Sequence, residues 1–216
     1  MSPFSRATFS ASVSSPEQLP PQGGPELAFA GRSNVGKSSA INALAKRKRL
    51  AFVSRTPGRT RSINFFDLGG RGWLVDLPGY GYARAPRALR AEWESLVGGY
   101  FSDRRSLAGV VVLMDARRPL TDSDLQLLEW LKALDAPRLV LLSKSDKLAR
   151  AERAAALGRT RRALQAAGMK ATVMLFSSTQ REGVDEARAL LEDWLAGPEP
   201  NKKPPAKGNA TGGKAP

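Results

Sequence analysis

Short apolar runs alternate with longer stretches in which apolar residues recur at the period of a helix. Runs of four to eight apolar residues between polar ones are typical of strands, and a spacing of three or four is typical of amphipathic helices. Seven strands are predicted, at 7–13, 26–30, 62–68, 71–76, 108–115, 138–143 and 171–176. Five helices are predicted, at 37–46, 88–100, 123–134, 149–167 and 184–195.

Two of the predicted strands, 108–115 and 138–143, are apolar at nearly every position. Such a strand is buried on both faces, which is typical of a parallel sheet covered by helices. Strands also alternate with helices along the chain. Together these patterns predict an α/β fold with a doubly wound, mostly parallel sheet and helices on both faces.

Composition divides the chain into three parts. Residues 1–25 form an N-terminal segment with an edge strand and a loop rich in Pro and Gly, and residues 26–196 form the predicted domain. Residues 197–216 form a basic tail rich in Pro, Gly and Lys, which has no apolar face to bury. We therefore expect this tail to be disordered.

The chain of 216 residues contains neither Cys nor His. Disulfides, thiolate metal sites and imidazole chemistry are therefore excluded. The sequence has no apolar run of the ~18 residues that a membrane span needs, and its N-terminus lacks the apolar core of a signal peptide. We expect a cytoplasmic protein with no membrane span.

The formal net charge is +14. The tail contains four Lys and one Glu, which leaves +11 on residues 1–196. Because Lys and Arg release counterions when they neutralise phosphates, this charge favours a polyanionic partner such as RNA. An Arg-rich protein without such a partner is the alternative that composition leaves open.

Residues 31–38, GRSNVGKS, match the phosphate-loop pattern G-x-x-x-x-G-K-[ST] between a predicted strand and a predicted helix. Gly31 and Gly36 allow the backbone N–H groups to surround phosphate oxygens, Lys37 reaches the β- and γ-phosphates, and the Ser38 hydroxyl can ligate magnesium. A glycine turn beside a surface lysine is the alternative, and it does not explain the spacing. The predicted phosphate-binding residues are Gly31, Arg32, Ser33, Asn34, Val35, Gly36, Lys37, Ser38 and Ser39.

A second motif, SKSD, follows the buried strand at 138–143. A carboxylate at Asp146 can accept hydrogen bonds from guanine N1–H and its 2-amino group, whereas adenine has no donor at N1. The stem of Lys144 can lie over the base. SKSD alone is weak, since such clusters also cap helices, but its position after a phosphate loop predicts a guanine nucleotide bound by Ser143, Lys144 and Asp146.

A third motif, DLPG, follows the predicted strand at 71–76. Asp76 can lie beside magnesium through a water molecule, and the backbone N–H of Gly79 is suited to sensing the γ-phosphate. A simple turn is the alternative, which the order of the three motifs makes less attractive. The residues predicted to bind nucleotide here are Asp76, Leu77, Pro78 and Gly79.

These motifs, with their neighbours, resemble one family closely. The stretches are GRSNVGKSSAINAL, SRTPGRTRSINFF, LVDLPGYGYARAP, LMDARRPLTDSDLQLLEWL, LLSKSDKL and SSTQREGVDE. Over residues 7–195 the chain is similar to the EngB/YihA/YsxC family of bacterial ribosome-assembly GTPases, which belongs to the translation-factor-like P-loop GTPases. The resemblance implies a GTP-hydrolysing switch in the assembly of the large ribosomal subunit, linked to cell division and septation.

The resemblance also implies roles for individual residues. Thr60 corresponds to the switch threonine that closes on magnesium and the γ-phosphate, so Lys37, Thr60 and Gly79 are the predicted catalytic residues. Ser38 and Thr60 would bind Mg²⁺ directly, and Asp76 through water. Ser177 and Ser178 match the loop that contacts guanine O6 through backbone N–H groups. Ser143 departs from the family, in which this position is usually Thr or Asn; it keeps the hydroxyl, so we expect guanine selectivity to survive.

The residue after the DLPG glycine is Tyr80, where Ras-like proteins use Gln to orient the attacking water. Because a phenol cannot replace that amide, we expect slow intrinsic hydrolysis that a partner stimulates. Asn34 is a candidate K⁺ ligand, since related GTPases with Asn there hold potassium beside the phosphates. The alternative is that Asn34 simply tolerates an unusual backbone conformation.

Residues 46–61 hold seven basic residues and no acidic one. Arg84, Arg87 and Arg90 would extend this patch, and Glu92 and Glu94 would limit it. We hypothesise that the GTP-bound form presents the patch to ribosomal RNA on large-subunit precursors, with a solvated mobile loop as the alternative.

A monomer that does not bind DNA is expected. Two alternative functions are a non-catalytic GTP-binding scaffold at the division site and an ATP-dependent kinase, and Asp146 argues against the kinase.

Overall fold

The computed structural model describes residues 2–52, 62–81, 87–102 and 104–197. Its strands are β1 (Thr8–Val13), β2 (Glu26–Gly31), β3 (Ile63–Asp67), β4 (Trp73–Asp76), β5 (Leu107–Asp115), β6 (Arg138–Ser143) and β7 (Thr172–Leu175). Its helices are α1 (Lys37–Leu44), α2 (Arg87–Ser102), α3 (Asp122–Leu131), α4 (Arg150–Ala166) and α5 (Val184–Ala196). All the predicted elements are present, with ends that differ by up to three residues.

The strands form one seven-stranded sheet in the order β1-β3-β4-β2-β5-β6-β7. The pairs β1–β3 and β3–β4 are antiparallel, and the pairs from β4 through β7 are parallel. Helices α1 and α5 contribute to the core on one face, and α2, α3 and α4 to the core on the other. The predicted α/β fold with a mostly parallel, doubly wound sheet is therefore confirmed, and β1 is an edge strand.

Strand β5 shows why the apolar runs are continuous. Val110, Val112 and Met114 pack into the core that contains α2, α3 and α4. Val111 and Leu113, which alternate with them, pack into the core that contains α1 and α5. Because successive side chains of a strand point to opposite faces, a strand between two helical layers needs apolar residues at every position.

The strand order determines where a ligand binds. The chain leaves β2 through α1 toward β3 on one side of the sheet, and it crosses from β4 through α2 to β5 on the other. In an open α/β sheet, the crevice outside the carboxyl ends of the strands at such a switch point is the usual ligand site. The three motifs of the sequence follow β2, β4 and β6, so they meet at this edge.

Two helices end earlier than predicted because side chains and turns satisfy their last carbonyl groups. Helix α1 stops at Leu44, since Lys46 adopts a left-handed φ of 54° and the Arg47 N–H donates to the Asn42 carbonyl. Helix α3 stops at Leu131, whose carbonyl accepts a hydrogen bond from Arg138 Nε at 3.1 Å. Neither hydrogen bond is visible in the hydrophobic periodicity from which the helix ends were predicted.

A buried carboxylate lies at the start of β2, at the opposite edge from the motifs. Glu26 is 1% exposed and accepts hydrogen bonds from Tyr100 Oη at 2.8 Å, Arg104 Nε at 3.1 Å and Ser106 Oγ at 2.9 Å. The Arg104 guanidinium also lies 5.7 Å from the Phe65 ring centroid. Burial raises the pKa of Tyr100 well above its ordinary value, so the phenol stays a neutral donor. This network joins β2 to α2 and to the start of β5.

Replacing Glu26 by Gln lowers the free energy of unfolding by about 2 kcal/mol, because Arg104 is left buried without its counter-charge. Chemical denaturation of the two proteins measures the difference. Glu94→Gln, at an exposed position of α2, is the matched control and leaves the stability unchanged. A Glu26→Gln protein as stable as the original would show that this network does not stabilise the fold.

Candidate nucleotide-binding site

The phosphate loop runs from the end of β2 to the start of α1. Asn34 has a φ of 61° and Gly36 a φ of 103°, both in the left-handed region. The first hydrogen bond of α1 runs from Ala40 N to Gly36 O at 2.9 Å, so the N–H groups of residues 37–39 precede the helical ladder. N–H groups of this kind at a helix start bind anions. Ser38 and Ser39 lie in this first turn and are partly buried.

The loop has no room for a side chain at Gly31. A Cβ atom there would lie 2.8 Å from Val35 Cγ1 and 3.1 Å from the Leu113 carbonyl oxygen. The first glycine of the motif is therefore required by close packing of the loop on β5. The Val35 side chain is buried in the core that contains α1 and α5, so it anchors the loop to that core.

Lys37 forms an ion pair with Asp76, at the end of β4. Both side chains are buried, so the pair joins the phosphate loop directly to the DLPG segment. Without a ligand, each of these two buried charges is neutralised by the other. A phosphate bound at this loop would compete with Asp76 for the Lys37 ammonium and would leave the Asp76 carboxylate free for another cation.

The DLPG segment packs against the phosphate loop through its backbone. The Ser33 N–H donates to the Tyr80 carbonyl at 3.1 Å, and the Leu77 N–H donates to the Phe29 carbonyl at 3.0 Å. A Cβ atom on Gly79 would lie 3.0 Å from Ser33 Oγ, so glycine is needed for this approach. Of the predicted residues, Arg32, Ser33 and Gly79 thus lie at the contact between the two loops, whereas Leu77 pairs with β2.

Tyr80 is held away from any role in orienting water. Its hydroxyl donates to Asp124 Oδ1 at 2.9 Å, and its ring lies against Trp93, with 6.0 Å between ring centroids. Trp93 Nε1 in turn donates to the Pro78 carbonyl at 2.9 Å. Burial and the nearby Asp124 carboxylate raise the pKa of Tyr80 well above its ordinary value. The phenol is therefore a neutral donor that anchors the DLPG segment to α3.

The SKSD segment also holds the phosphate loop. Ser143 Oγ donates to the Val35 carbonyl at 2.7 Å, and Lys144 Nζ donates to the Asn34 carbonyl at 2.8 Å. The Ser143 hydroxyl, which a Thr at this position would also have, therefore holds the loop against β6. Lys144 has a left-handed φ of 58°, and its stem lies where the chain turns from the strand.

Asp146 is oriented by Ser177. Ser177 Oγ donates to Asp146 Oδ1 at 2.7 Å, and this hydrogen bond lowers the pKa of Asp146, so the carboxylate stays ionised. The Ser177 N–H donates to the Glu182 carbonyl at 3.0 Å and is therefore already used. Of the two serines predicted to contact a base through N–H groups, Ser178 is the one whose N–H has no acceptor within the described residues.

Two supporting residues escaped the sequence analysis. Asp115, at the end of β5, accepts a hydrogen bond from Lys144 Nζ at 3.1 Å and from Arg117 Nη2 at 2.7 Å. Burial tends to raise the pKa of Asp115, but these hydrogen bonds outweigh it and hold the pKa well below the usual range. Glu182 accepts from Ser145 Oγ at 2.5 Å. Asp115 lies in the stretch LMDARRPLTDSDLQLLEWL and Glu182 in SSTQREGVDE, both of which carry the family resemblance. The sequence analysis therefore included both residues but did not predict their hydrogen bonds.

Thr60 lies outside the described residues, as do Arg55, Arg59, Arg61 and Arg84. The remaining predicted site residues, Gly31 to Ser39, Asp76 to Gly79, Ser143, Lys144, Asp146, Ser177 and Ser178, are described. The hydrogen bonds above join the phosphate loop to DLPG and to SKSD, and SKSD to Ser177. No helix among the described residues is long and apolar enough to cross a membrane.

Replacing Ser177 by Ala lowers the affinity for GTP about 10-fold, because Asp146 loses a charge-assisted hydrogen bond that orients it. The lost hydrogen bond also raises the pKa of Asp146 toward that of an ordinary Asp, so between pH 7 and about 4 the affinity of the variant starts to fall at a higher pH than that of the wild type. Fluorescent-nucleotide titration across this range measures both effects. Ser178→Ala keeps its backbone N–H and is the control; equal affinities for the two variants would contradict the role of Ser177.

A glycine-lined phosphate loop at the switch point of a doubly wound sheet, with a lysine and an oriented aspartate after β6, defines a P-loop GTP-binding protein. Residues 26–144 match the family model described as 50S ribosome-binding GTPase. The probable GTP-binding protein EngB of Dechloromonas aromatica is 50% identical over 211 residues, covering 95% of this chain and 96% of that protein. EngB of Thiobacillus denitrificans is 51% identical over 193 residues, covering 89% and 93%. The chain belongs to the EngB family of GTP-binding proteins.

Solved structures share the fold. A probable GTP-binding protein EngB superposes with a TM-score of 0.64 at 19% identity, covering 79% of this chain and 98% of that chain. Era of Aquifex aeolicus, bound to GDP and AlF4⁻, superposes with a TM-score of 0.63 at 20% identity, covering 82% and 57%. At these identities the superpositions establish the P-loop GTPase fold and nothing finer.

Proposed function

We propose that this protein is a GTP-hydrolysing switch that acts, as a cytoplasmic monomer, in the assembly of the large ribosomal subunit and so supports normal cell division. The observation that carries the proposal is the Asp146 carboxylate, which Ser177 orients and which lies in the same SKSD segment whose Lys144 contacts the phosphate loop. The match to the model of 50S ribosome-binding GTPases and the net charge of +14 support a ribosomal partner.

In this proposal the phosphate loop and the SKSD segment hold the two ends of GTP. The N–H groups of residues 36–39 surround the β-phosphate, and Lys37 exchanges Asp76 for phosphate oxygens. Asp146 accepts hydrogen bonds from guanine, Lys144 covers the base, and the Ser178 N–H donates to guanine O6.

Magnesium fits the oxygen donors that are present. Ser38 supplies a hydroxyl, and Asp76 supplies a carboxylate once Lys37 turns to phosphate. Within the described residues no group of three or more acidic or His/Cys side chains could hold a metal, which suits an ion held by one or two side chains and the phosphates. Magnesium neutralises charge on the phosphates when bound, and Thr60 remains its proposed second direct ligand.

Hydrolysis is proposed to be slow until a partner stimulates it. Tyr80 is hydrogen-bonded to Asp124 and offers no amide to the attacking water. Asn34 has the left-handed backbone that Asn tolerates, which accounts for its presence without a cation, and a potassium role for Asn34 remains a proposal. Hydrolysis with ribosomal subunits present is expected to be faster in K⁺ than in Na⁺ buffer; equal rates would remove that role.

The anchored Tyr80 also favours a second candidate, a GTP-binding scaffold at the division site that does not hydrolyse GTP. Single-turnover hydrolysis with and without ribosomal particles separates the two. Pull-down of ribosomal precursors, with protein locked in the GTP form and with GDP-bound protein, tests the ribosomal role. The proposed function predicts that the GTP form captures more large-subunit precursors than the GDP form and that particles speed hydrolysis; no hydrolysis under either condition would favour the scaffold.

A further inference from the structure

A short basic turn, residues 46–52, follows α1 and is fastened to that helix. The Asn42 side chain makes two hydrogen bonds to one residue of the turn: its Nδ2 donates to the Ala51 carbonyl at 2.9 Å, and its Oδ1 accepts from the Ala51 N–H at 2.8 Å. The Arg47 N–H donates to the Asn42 carbonyl at 2.9 Å. Asn42 thus closes the turn at both ends, with its main-chain carbonyl at Arg47 and its buried side chain at Ala51.

The turn is also anchored by burial. Leu50 and Ala51 are buried in the core that contains α1 and α5. Arg188, on α5, donates to the Leu44 carbonyl at 2.8 Å and to the Ala43 carbonyl at 3.2 Å. The guanidinium therefore satisfies the negative end of α1, which would otherwise repel an anion near the turn. None of these contacts involves residues 31–39 of the phosphate loop.

The outward side of the turn carries only cations and one aromatic ring. Lys46, Arg47, Lys48 and Arg49 are all exposed, and none pairs with a described carboxylate. Phe52 is 88% exposed, against 58% for Phe9, the next most exposed large apolar side chain in the described part of the chain. An exposed ring costs free energy in water, and no apolar side chain of the described residues covers Phe52.

We infer that the basic turn is a preformed binding site for single-stranded RNA, in which Phe52 stacks on a base while Lys46 to Arg49 bind the flanking phosphates. Positive charge that follows the backbone and an aromatic ring that takes a base are the two components of single-strand recognition. A duplex offers phosphates but no free base face, so it gains nothing from Phe52. The inference rests on the proposed ribosomal function, and it adds the RNA form recognised and independence from GTP.

The test is binding of a fluorescein-labelled oligouridylate of about 12 nucleotides, within the ~4–16 that one such site covers. Phe52→Ala weakens binding about 10-fold with an unchanged salt slope, and Phe52→Trp restores it. Arg47→Ala with Arg49→Ala lowers the slope of log K against log[salt] by about 1.4, for two phosphate contacts on a single strand. Asn42→Ala, which keeps every charge, also weakens binding.

Matched controls remove similar groups elsewhere. Phe9→Ala removes the exposed ring on β1, and Arg159→Ala with Arg162→Ala removes two exposed charges on α4; both leave binding and its salt slope unchanged. Binding also stays the same with GDP, GTP or no nucleotide. The inference is overturned if Phe52→Ala binds like the wild type, if the α4 variant loses as much slope, or if duplex RNA competes equally.

Failure of this inference and failure of the proposed function give different results. Wild-type protein that binds GTP and ribosomal particles, but whose oligouridylate affinity is insensitive to Phe52, refutes only the stacking site. Wild-type protein that binds the oligonucleotide through Phe52, but shows no preference for GTP and captures no particles, refutes the proposed function and leaves the RNA site in place.

Discussion

Replacing Asp146 by Asn is expected to lower the affinity for GTP by at least about 100-fold, because the base loses a charged acceptor for two of its hydrogens and the new amide places a donor against a donor. Ser177 currently presents one oxygen of this carboxylate at a fixed position, 2.7 Å from its own hydroxyl. The change leaves the phosphate loop untouched. Competition titration with a fluorescent guanine nucleotide measures the loss.

A different base provides the internal control for that substitution. Xanthine carries a carbonyl where guanine carries its 2-amino group, so the amide that Asp146→Asn introduces can donate to it while the amide oxygen still accepts from N1–H. The variant is therefore expected to prefer xanthosine triphosphate over GTP. Weak binding of both would indicate damage to the fold, and unchanged GTP affinity would show that Asp146 does not read the base.

Replacing Lys37 by Met is expected to lower the rate of GTP hydrolysis by about 100- to 1000-fold, because the γ-phosphate loses a cation aimed at charge that develops in the transition state. The same change leaves Asp76 buried without its partner. Breaking a buried ion pair from one side costs about 3–5 kcal/mol of stability. Single-turnover hydrolysis and chemical denaturation measure the two effects separately.

The double variant Lys37→Met/Asp76→Asn separates the two roles of the pair. It contains no unpaired buried charge, so most of the lost stability is expected to return. Hydrolysis is not expected to return, since neither the phosphate cation nor the carboxylate near magnesium is restored. A double variant that recovers hydrolysis along with stability would show that Lys37 acts only through folding.

The elements and the three motifs were predictable because each depends on residues close together in the chain. Strand β5 shows burial on both faces in its own apolar run, and Gly31 to Ser38 carry the loop geometry in eight consecutive residues. Strand order then brings the motifs to one edge of the sheet. Wherever a local pattern determined the structure, prediction and structure agree.

Contacts between distant residues were not predictable. Tyr80 and Asp124 are 44 positions apart, and Asn34 accepts from Lys144 across 110 positions. Glu26 appears in the sequence as an ordinary polar residue at a strand start, yet it is buried and accepts hydrogen bonds from Tyr100 of α2 and from Ser106, which precedes β5. Such pairs depend on how the elements pack, and a single sequence contains no signal for them.

We propose that one carboxylate, Asp146, makes this a site for guanine nucleotides, since Ser177 orients it and Lys144 of the same segment contacts the phosphate loop. Competition of unlabelled GTP and ATP for the wild-type protein, in the presence of magnesium, tests it most directly. We predict that GTP binds at least about 100-fold more tightly than ATP. Equal affinities, or no binding of either nucleotide, would contradict it.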